Sequence, residues 1–436
     1  MQQVSLTIEG AAHALRAADR PRRRHGVHRL QALTWACALS IASAVLLLKI
    51  SIPPFGARGI GIALFLLPAI AVLGLVLRAL DIDAQRLAIF LVLTGVLSLT
   101  SLFGAAAFSI SSMAMFTVVH LPFILTAAPH PSLSTSIAPT GGGSPSASIY
   151  ALFLNLALAI ALCGIAQFTL QRFIEVRWLF PIENFVPSAF VVQHFNSQGV
   201  VEYGSQIYRS NGVFLPEPSY FSQLMAIAIV LELSLAGRWH RLALYAAALL
   251  TASAGTGLMI LGICVPILIV KRARWDLLVI GVCTLAVVGV LGDTLHLGHL
   301  ASRSGEFNET GSSAFARFVG GFYLFDQFLW DDPWRTLFGF GAGSFSELAT
   351  RSHYAVAEMP LFKILMEFGL TGAVLYFGAL AYFLFSSAAS RVLALAIAIA
   401  FLLNGIYAVF GQALALGLLV WPFPKPAEAH SGGSSP

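Results

Sequence analysis

The sequence predicts an all-α polytopic membrane protein with about twelve transmembrane helices. Two observations carry this. Of 436 residues, 58% are hydrophobic and only 10% are charged, with a mean hydropathy of +0.82. Soluble domains carry roughly 25% charged residues, and a soluble chain so poor in charge would expose large apolar patches. The apolar residues also fall into repeated runs of span length, separated by short polar breaks. These features exclude a soluble enzyme, a disordered chain and a nucleic-acid binder.

In chain order the runs cover 31–50, 59–77, 87–104, 107–127, 149–171, 217–236, 240–254, 257–270, 276–295, 359–385, 391–404 and 407–421. The first follows a basic tail, residues 1–30, holding Arg16, Arg20, Arg22, Arg23, Arg24 and Arg29. A signal peptide has a shorter apolar core and a small-residue cleavage site, so this run reads as a span. Ser253-Ala254-Gly255-Thr256-Gly257 divides 240–270, either as a tight turn between antiparallel helices or as a break within one. Asn404-Gly405 divides the last two runs, which are two short helices or one long tilted one. Cys37, Cys163, Cys264 and Cys283 lie inside apolar runs and read as small buried hydrophobes, not as disulfides or a zinc site. Lys49 and Glu232, near helix ends, read as snorkelling side chains.

Lys and Arg in the short loops set the orientation. With the N-terminus inside, Arg238, Arg241, Lys271, Arg272 and Arg274 all fall on the inner side. The organisation is then a basic tail (1–30), N-terminal spans (31–171), a large outer loop (172–216), central spans (217–295), a second large outer loop (296–357), C-terminal spans (358–421) and an inner tail (422–436). The uncharged Pro-, Gly- and Ser-rich stretch 128–148 reads as a flexible inner linker. No internal repeat stands out, which disfavours an inverted-repeat transporter.

The polar residues that invite chemistry gather in the two outer loops. Pro218 suits the first turn of a helix, because its missing N–H would be unpaired there anyway. That helix would present its N-terminal dipole to the outer surface, with Arg209 just before it. Arg209 is either one arm of a phosphate site or an ordinary interfacial arginine beside a capped helix. Apolar residues at 315, 318, 319, 322, 325, 328 and 329 make one face of an interfacial helix. Arg317 lies off that stripe, aimed into a cavity or into solvent. Gly339-Phe340-Gly341-Ala342-Gly343 looks like a phosphate turn, but without a strand–turn–helix unit it reads as a tight turn. Asp331-Asp332 and Asp81-x-Asp83 supply too few carboxylates to argue a metal site. Glu367 lies about 13 Å into its helix, where a carboxylate needs a partner or a polar cavity. Lys363, four residues earlier on the same face, offers that partner.

Several of these residues stand in a familiar order. Arg209-x-Asn211-Gly212-x-Phe214-x-x-Glu217-Pro218-Ser219, then Thr251-x-Ser253-x-Gly255, Gly311-Ser312-Ser313 with Arg317, Leu337-Phe338-Gly339-x-Gly341 and Glu367-x-Gly369-x-x-Gly372 follow one another over about 209–375. This order resembles the bacterial O-antigen ligase and Wzy-type polysaccharide polymerase superfamily. The resemblance implies a fold similar to GT-C glycosyltransferases and an inverting, metal-independent glycosyl transfer at the periplasmic face of the inner membrane, without a cofactor. The implied donor is a glycan on undecaprenyl diphosphate. Polymerases pass it to the next lipid-linked repeat unit, and ligases to lipid A-core.

The ligase branch carries a His-Asn pair where this chain has Glu358-Met359, with His353 five residues earlier. That departure favours a polymerase of O-antigen or exopolysaccharide repeats over a ligase. The implied roles are diphosphate binding by Arg209 and Arg317, proton acceptance by Glu217, Glu358 or His353, and substrate binding by Asn211, Ser219, Arg303, Arg351 and Glu367. Implied partners are the lipid-linked donor and acceptor, the bilayer, a flippase and a chain-length regulator, with no nucleic acid. A reading of another class is a lipid-linked oligosaccharide flippase or permease.

Overall fold

The computed structural model describes residues 28–53, 55, 59–104, 109–128, 145–193, 195–201, 205–235, 237–272, 275 and 305–423. Most of the basic tail, the linker at 129–144, the run 276–295, Arg303 and the tail beyond 423 lie outside the described residues.

Helices make up nearly all of the regular structure. They are α1 (His28–Leu46), α2 (Ala63–Val76), α3 (Ala84–Gly104), α4 (Ile110–His120), α5 (Pro145–Leu170), α6 (Val176–Leu179), α7 (Pro181–Phe185), α8 (Pro218–Ser234), α9 (Trp239–Ala252) and α10 (Gly255–Arg272). After the second loop begins come α11 (Ser313–Phe318), α12 (Gly320–Phe328), α13 (Pro333–Phe338), α14 (Ser344–Arg351), α15 (Pro360–Phe385), α16 (Arg391–Leu402) and α17 (Phe410–Ala415). Every described apolar run contains a helix. Among the described residues five helices, α1, α3, α5, α10 and α15, are long and apolar enough to cross a membrane. Helices α2, α4, α8, α16 and α17, some extended by a 3-10 or π turn, are apolar but shorter. The small exception to an all-α fold is an antiparallel ribbon, β1 (Leu80–Ile82) with β2 (Leu125–Ala127), in which Asp81 faces Thr126.

Helix α8 is the centre of the bundle. All of its residues from Pro218 to Ser234 are buried, as expected of a helix apolar on every side. It packs against α5, α9, α10 and α16. Its closest neighbour is α10, where a Cβ on Gly257 would stand 2.4 Å from the Ser222 carbonyl oxygen. Ser253, in the left-handed region at φ 45°, ends α9 and lets α10 begin at Gly255. Asn404 likewise separates α16 from α17, and its amide donates to Gln223 of α8 at 2.7 Å. The last two runs are therefore two helices.

The two ends of the bundle are held differently. At one end Arg86 of α3 is buried and donates to the carbonyls of Phe123 and Phe383 and to Ser386 and Ser387. Asp83 caps the same helix through the Gln85 and Arg86 N–H groups. Glu232, at the C-terminal end of α8, is buried rather than snorkelling and accepts from the Arg238 N–H at 3.1 Å. The other end carries both long loops. There Lys49, only 2% exposed, pairs with Glu183 at 2.7 Å instead of reaching for water.

The interfacial helix expected over 315–329 is broken at Val319 into α11 and α12. Packing forces the break. A Cβ on Gly320 would stand 2.4 Å from the Ala355 carbonyl oxygen, and one on Gly321 would strike the Phe362 ring at 2.2 Å. Glycine permits both approaches but weakens the helix at the same point.

Candidate functional site

The site forms where the two loops meet the N-terminus of α8. In the first loop, Asn211 is buried and anchors the backbone. Its side-chain oxygen accepts from Gln167 at 3.1 Å and from the Val213 N–H at 3.0 Å, and its amide donates to Glu183 at 3.2 Å. Gln167 in turn accepts from the Asn211 and Gly212 N–H groups, and Lys49 donates to the Val213 carbonyl at 2.6 Å. Ser210 ties the same segment to α9 through Thr251 at 2.6 Å. A backbone this closely held fixes the residues on either side of it, Arg209 and Glu217.

Glu217 is the N-cap residue of α8 in extended conformation, and Pro218 occupies the first turn. The Glu217 carboxylate accepts from Ser219 Oγ at 2.9 Å, from the Asn196 N–H at 3.3 Å and from Arg317 Nη2 at 2.7 Å. The Arg317 and Glu217 side chains are 23% and 14% exposed, so their pair is open on one side. Arg209 donates from its backbone N–H to Gly199 and from Nη2 to Val201.

The second loop brings Arg317 to this place by docking on a broken helix. Inside α15, Gly369 adopts φ 65°. There the Phe340 N–H donates to the Met366 carbonyl and the Gly341 N–H to the Glu367 carbonyl. Gly339, at φ 71°, lies against the same break: a Cβ on it would meet Glu367 C at 2.5 Å, and one on Gly369 would meet Leu337 C at 2.4 Å. Gly339, Gly341 and Gly343 all have positive φ, so the glycine-rich stretch is a tight turn. Nearer Arg317, the Ala357 N–H donates to the Ala316 carbonyl and holds α11 in place.

Between these parts lies a cavity of about 370 Å³. Its polar wall holds Arg209, Glu217, Ser219, Asn196, Thr256 and Arg317, and its apolar wall includes Met259, Phe307 and Phe318. Four of the residues singled out in the sequence, Arg209, Glu217, Ser219 and Arg317, therefore share one cavity although more than a hundred positions separate the first from the last. Two guanidinium groups, a carboxylate and a helix N-terminus on one wall suit a multiply charged anion.

The other candidates lie elsewhere. Glu367 is buried with Lys363 at 2.9 Å, and Lys363 also pairs with Glu358 at 2.9 Å. The Lys363 ammonium sits over the rings of Phe345 and Tyr407. Arg351 pairs with Glu347 on the exposed face of α14. His353 is exposed and does not line the cavity. Asp332 caps α13 by accepting from the Trp334 and Arg335 N–H groups. Among the described residues no three His, Cys, Asp or Glu side chains cluster as metal ligands would.

Asn196, Thr256, Met259 and Phe307 line the cavity without any signal in the sequence that marks them. They are ordinary residue types in runs full of their like, and only the three-dimensional meeting of loops selects them. No protein-family model, curated protein or solved structure matches this chain.

Proposed function

We propose that this chain is a membrane glycosyltransferase that polymerises lipid-diphosphate-linked oligosaccharide repeat units into a surface polysaccharide. The reading includes a GT-C-like arrangement of about twelve spans, with the cavity at the periplasmic face of a bacterial inner membrane. One observation carries it: Arg209, Arg317 and Glu217 share a single cavity at the N-terminus of the buried helix α8. The cavity also has an apolar wall, which suits a lipid carrier beside its charged head. Polar groups gathered at one end of the bundle fit an enzyme better than a transporter, whose site belongs near the bilayer midplane.

The same residues support a mechanism. The bond between the donor sugar C1 and the diphosphate oxygen breaks, and its electron pair stays on the diphosphate. Arg209 and Arg317 neutralise that charge as it builds, helped by the dipole of α8. The acceptor hydroxyl attacks C1 from the opposite face and gives its proton to Glu217. Glu217 is held by Arg317 at 2.7 Å. A diphosphate competing for Arg317 would loosen that pair and place negative charge beside Glu217, and both changes make the carboxylate a better base. Ser219 and the Asn196 N–H keep it in position meanwhile.

The test is the polysaccharide made by a deletion strain and by purified protein. Loss of the chain should leave single repeat units on the lipid core, and purified protein should build a ladder from lipid-linked units. Finished polymer retained on the lipid diphosphate would instead mark a ligase. Unprocessed repeat units trapped on the cytoplasmic side would mark a flippase.

A further inference from the structure

The end of the bundle away from the cavity carries a second cleft that the proposed chemistry does not use. Helix α1 runs from His28 to Leu46, and Lys49, just beyond it, is bound to the first loop at the cavity end. A helix of this length spans about 28 Å, close to the roughly 30 Å hydrocarbon thickness of a bilayer. His28 and the cavity therefore lie at opposite ends of one span.

The first turns of α1 and the end of α2 enclose a cleft of about 390 Å³, lined by His28, Arg29, Ala32, Val76, Leu77 and Arg78. Its lining holds two guanidinium groups and an imidazole but no carboxylate. Among the described residues, no carboxylate pairs with Arg29 or Arg78. Like charges brought into one cleft repel unless an anion sits between them.

Two further features favour a phospholipid over a free anion. Val76 and Leu77, at 72% and 48% exposed, continue the cleft as an apolar surface beside the cations. That pairing matches a phosphate head joined to acyl chains. Arg78 also occupies the left-handed position just past α2, at φ 54°, with its N–H donating to Leu75. Helices usually place Gly or Asn there, so the fold tolerates strain to hold an arginine at this spot.

We propose that this cleft binds the phosphate group of an anionic phospholipid in the leaflet opposite the cavity, through Arg29 and Arg78. Basic pockets between helices on the inner side are suited to such headgroups.

The test uses the full chain, purified and titrated with phosphatidylglycerol, phosphatidylcholine or inorganic phosphate and read by native mass spectrometry. Phosphatidylglycerol should bind in preference to the other two. Arg29→Ala with Arg78→Ala should weaken its binding about tenfold or more, as expected for losing two cations near the surface. Arg172→Ala with Arg177→Ala, exposed arginines at the cavity end, should leave it unchanged. Arg78→Gly separates recognition from folding, because glycine suits φ 54°. With the backbone turn preserved and the arginine side chain gone, it should lose lipid while keeping its thermal stability. Equal lipid binding by wild type and the Arg29/Arg78 variant would overturn the proposal. So would inorganic phosphate binding as tightly as the lipid, which would make the cleft a site for a soluble anion.

Discussion

Two ion pairs at the loop-bearing end show how similar chemistry serves different ends. Arg317–Glu217 and Lys363–Glu367 both join a cation to a carboxylate at under 3 Å. The first is partly exposed, at 23% and 14%, and opens on a cavity. The second is sealed, at 4% and 2%, and its lysine has a second carboxylate and two aromatic rings around it. The sealed Lys363–Glu367 contact offers no opening to a ligand. An open pair can exchange one partner for a ligand. Accessibility, more than charge or depth along a helix, separates the group suited to chemistry from the group that holds the fold.

The sealed pair gives the largest expected effect. Lys363→Met leaves Glu367 buried without its cation, which should cost about 3–5 kcal/mol. The protein should fail to accumulate, and a thermal-shift measurement on any that survives should show the loss. A stable Lys363→Met protein that makes no polymer would reverse the comparison and move the chemistry to α15.

The open pair should behave oppositely. Arg317→Ala and Arg209→Ala should each lower the polymerisation rate about 10²–10³-fold, by analogy with the loss of one oxyanion donor. Both proteins should insert and melt nearly as wild type. Lysine at either position keeps the charge but loses the planar fork, so it should recover little of the rate. Wild-type polymer length from stable alanine variants would remove this cavity from consideration.

The smallest of the three effects concerns the joint that serves both pairs. Gly369→Ala puts a methyl group 2.4 Å from Leu337 C, at a φ of 65° that alanine resists. A destabilisation of about 1–3 kcal/mol is expected. Gly378→Ala, in the same helix with nothing within 4 Å of its Cβ, is the matched control and should change neither stability nor rate. Equal behaviour of the two would mean that the second loop does not depend on the break in α15.

The helices were legible because hydropathy is a local signal and the runs are long. Arg209, Glu217 and Arg317 stood out because charge is scarce in this chain. The partner of Glu217 was less legible. It is Arg317, a hundred residues on. Lys49 looked like a snorkelling residue because its partner Glu183 is 134 residues away. Asn211, whose substrate-binding role the resemblance implied, has its side-chain amide bonded to Gln167, Glu183 and the Val213 N–H, a network that joins residues far apart in sequence. The break at Val319 was invisible to periodicity, since it answers to Ala355 and Phe362 rather than to its own neighbours.

The docking of the second loop on α15 also bears on the order in which the protein is made. Arg209 and Glu217 are fixed by residues that leave the ribosome before position 260. Arg317 is placed by Ala357, and its loop by the backbone at Met366, Glu367 and Gly369. A chain interrupted between those points carries half of the cavity and none of the Arg317–Glu217 pair. Synthesis must pass the Gly369 break before Arg317 can meet Glu217, so an unfinished polypeptide in the membrane lacks the closed cavity altogether.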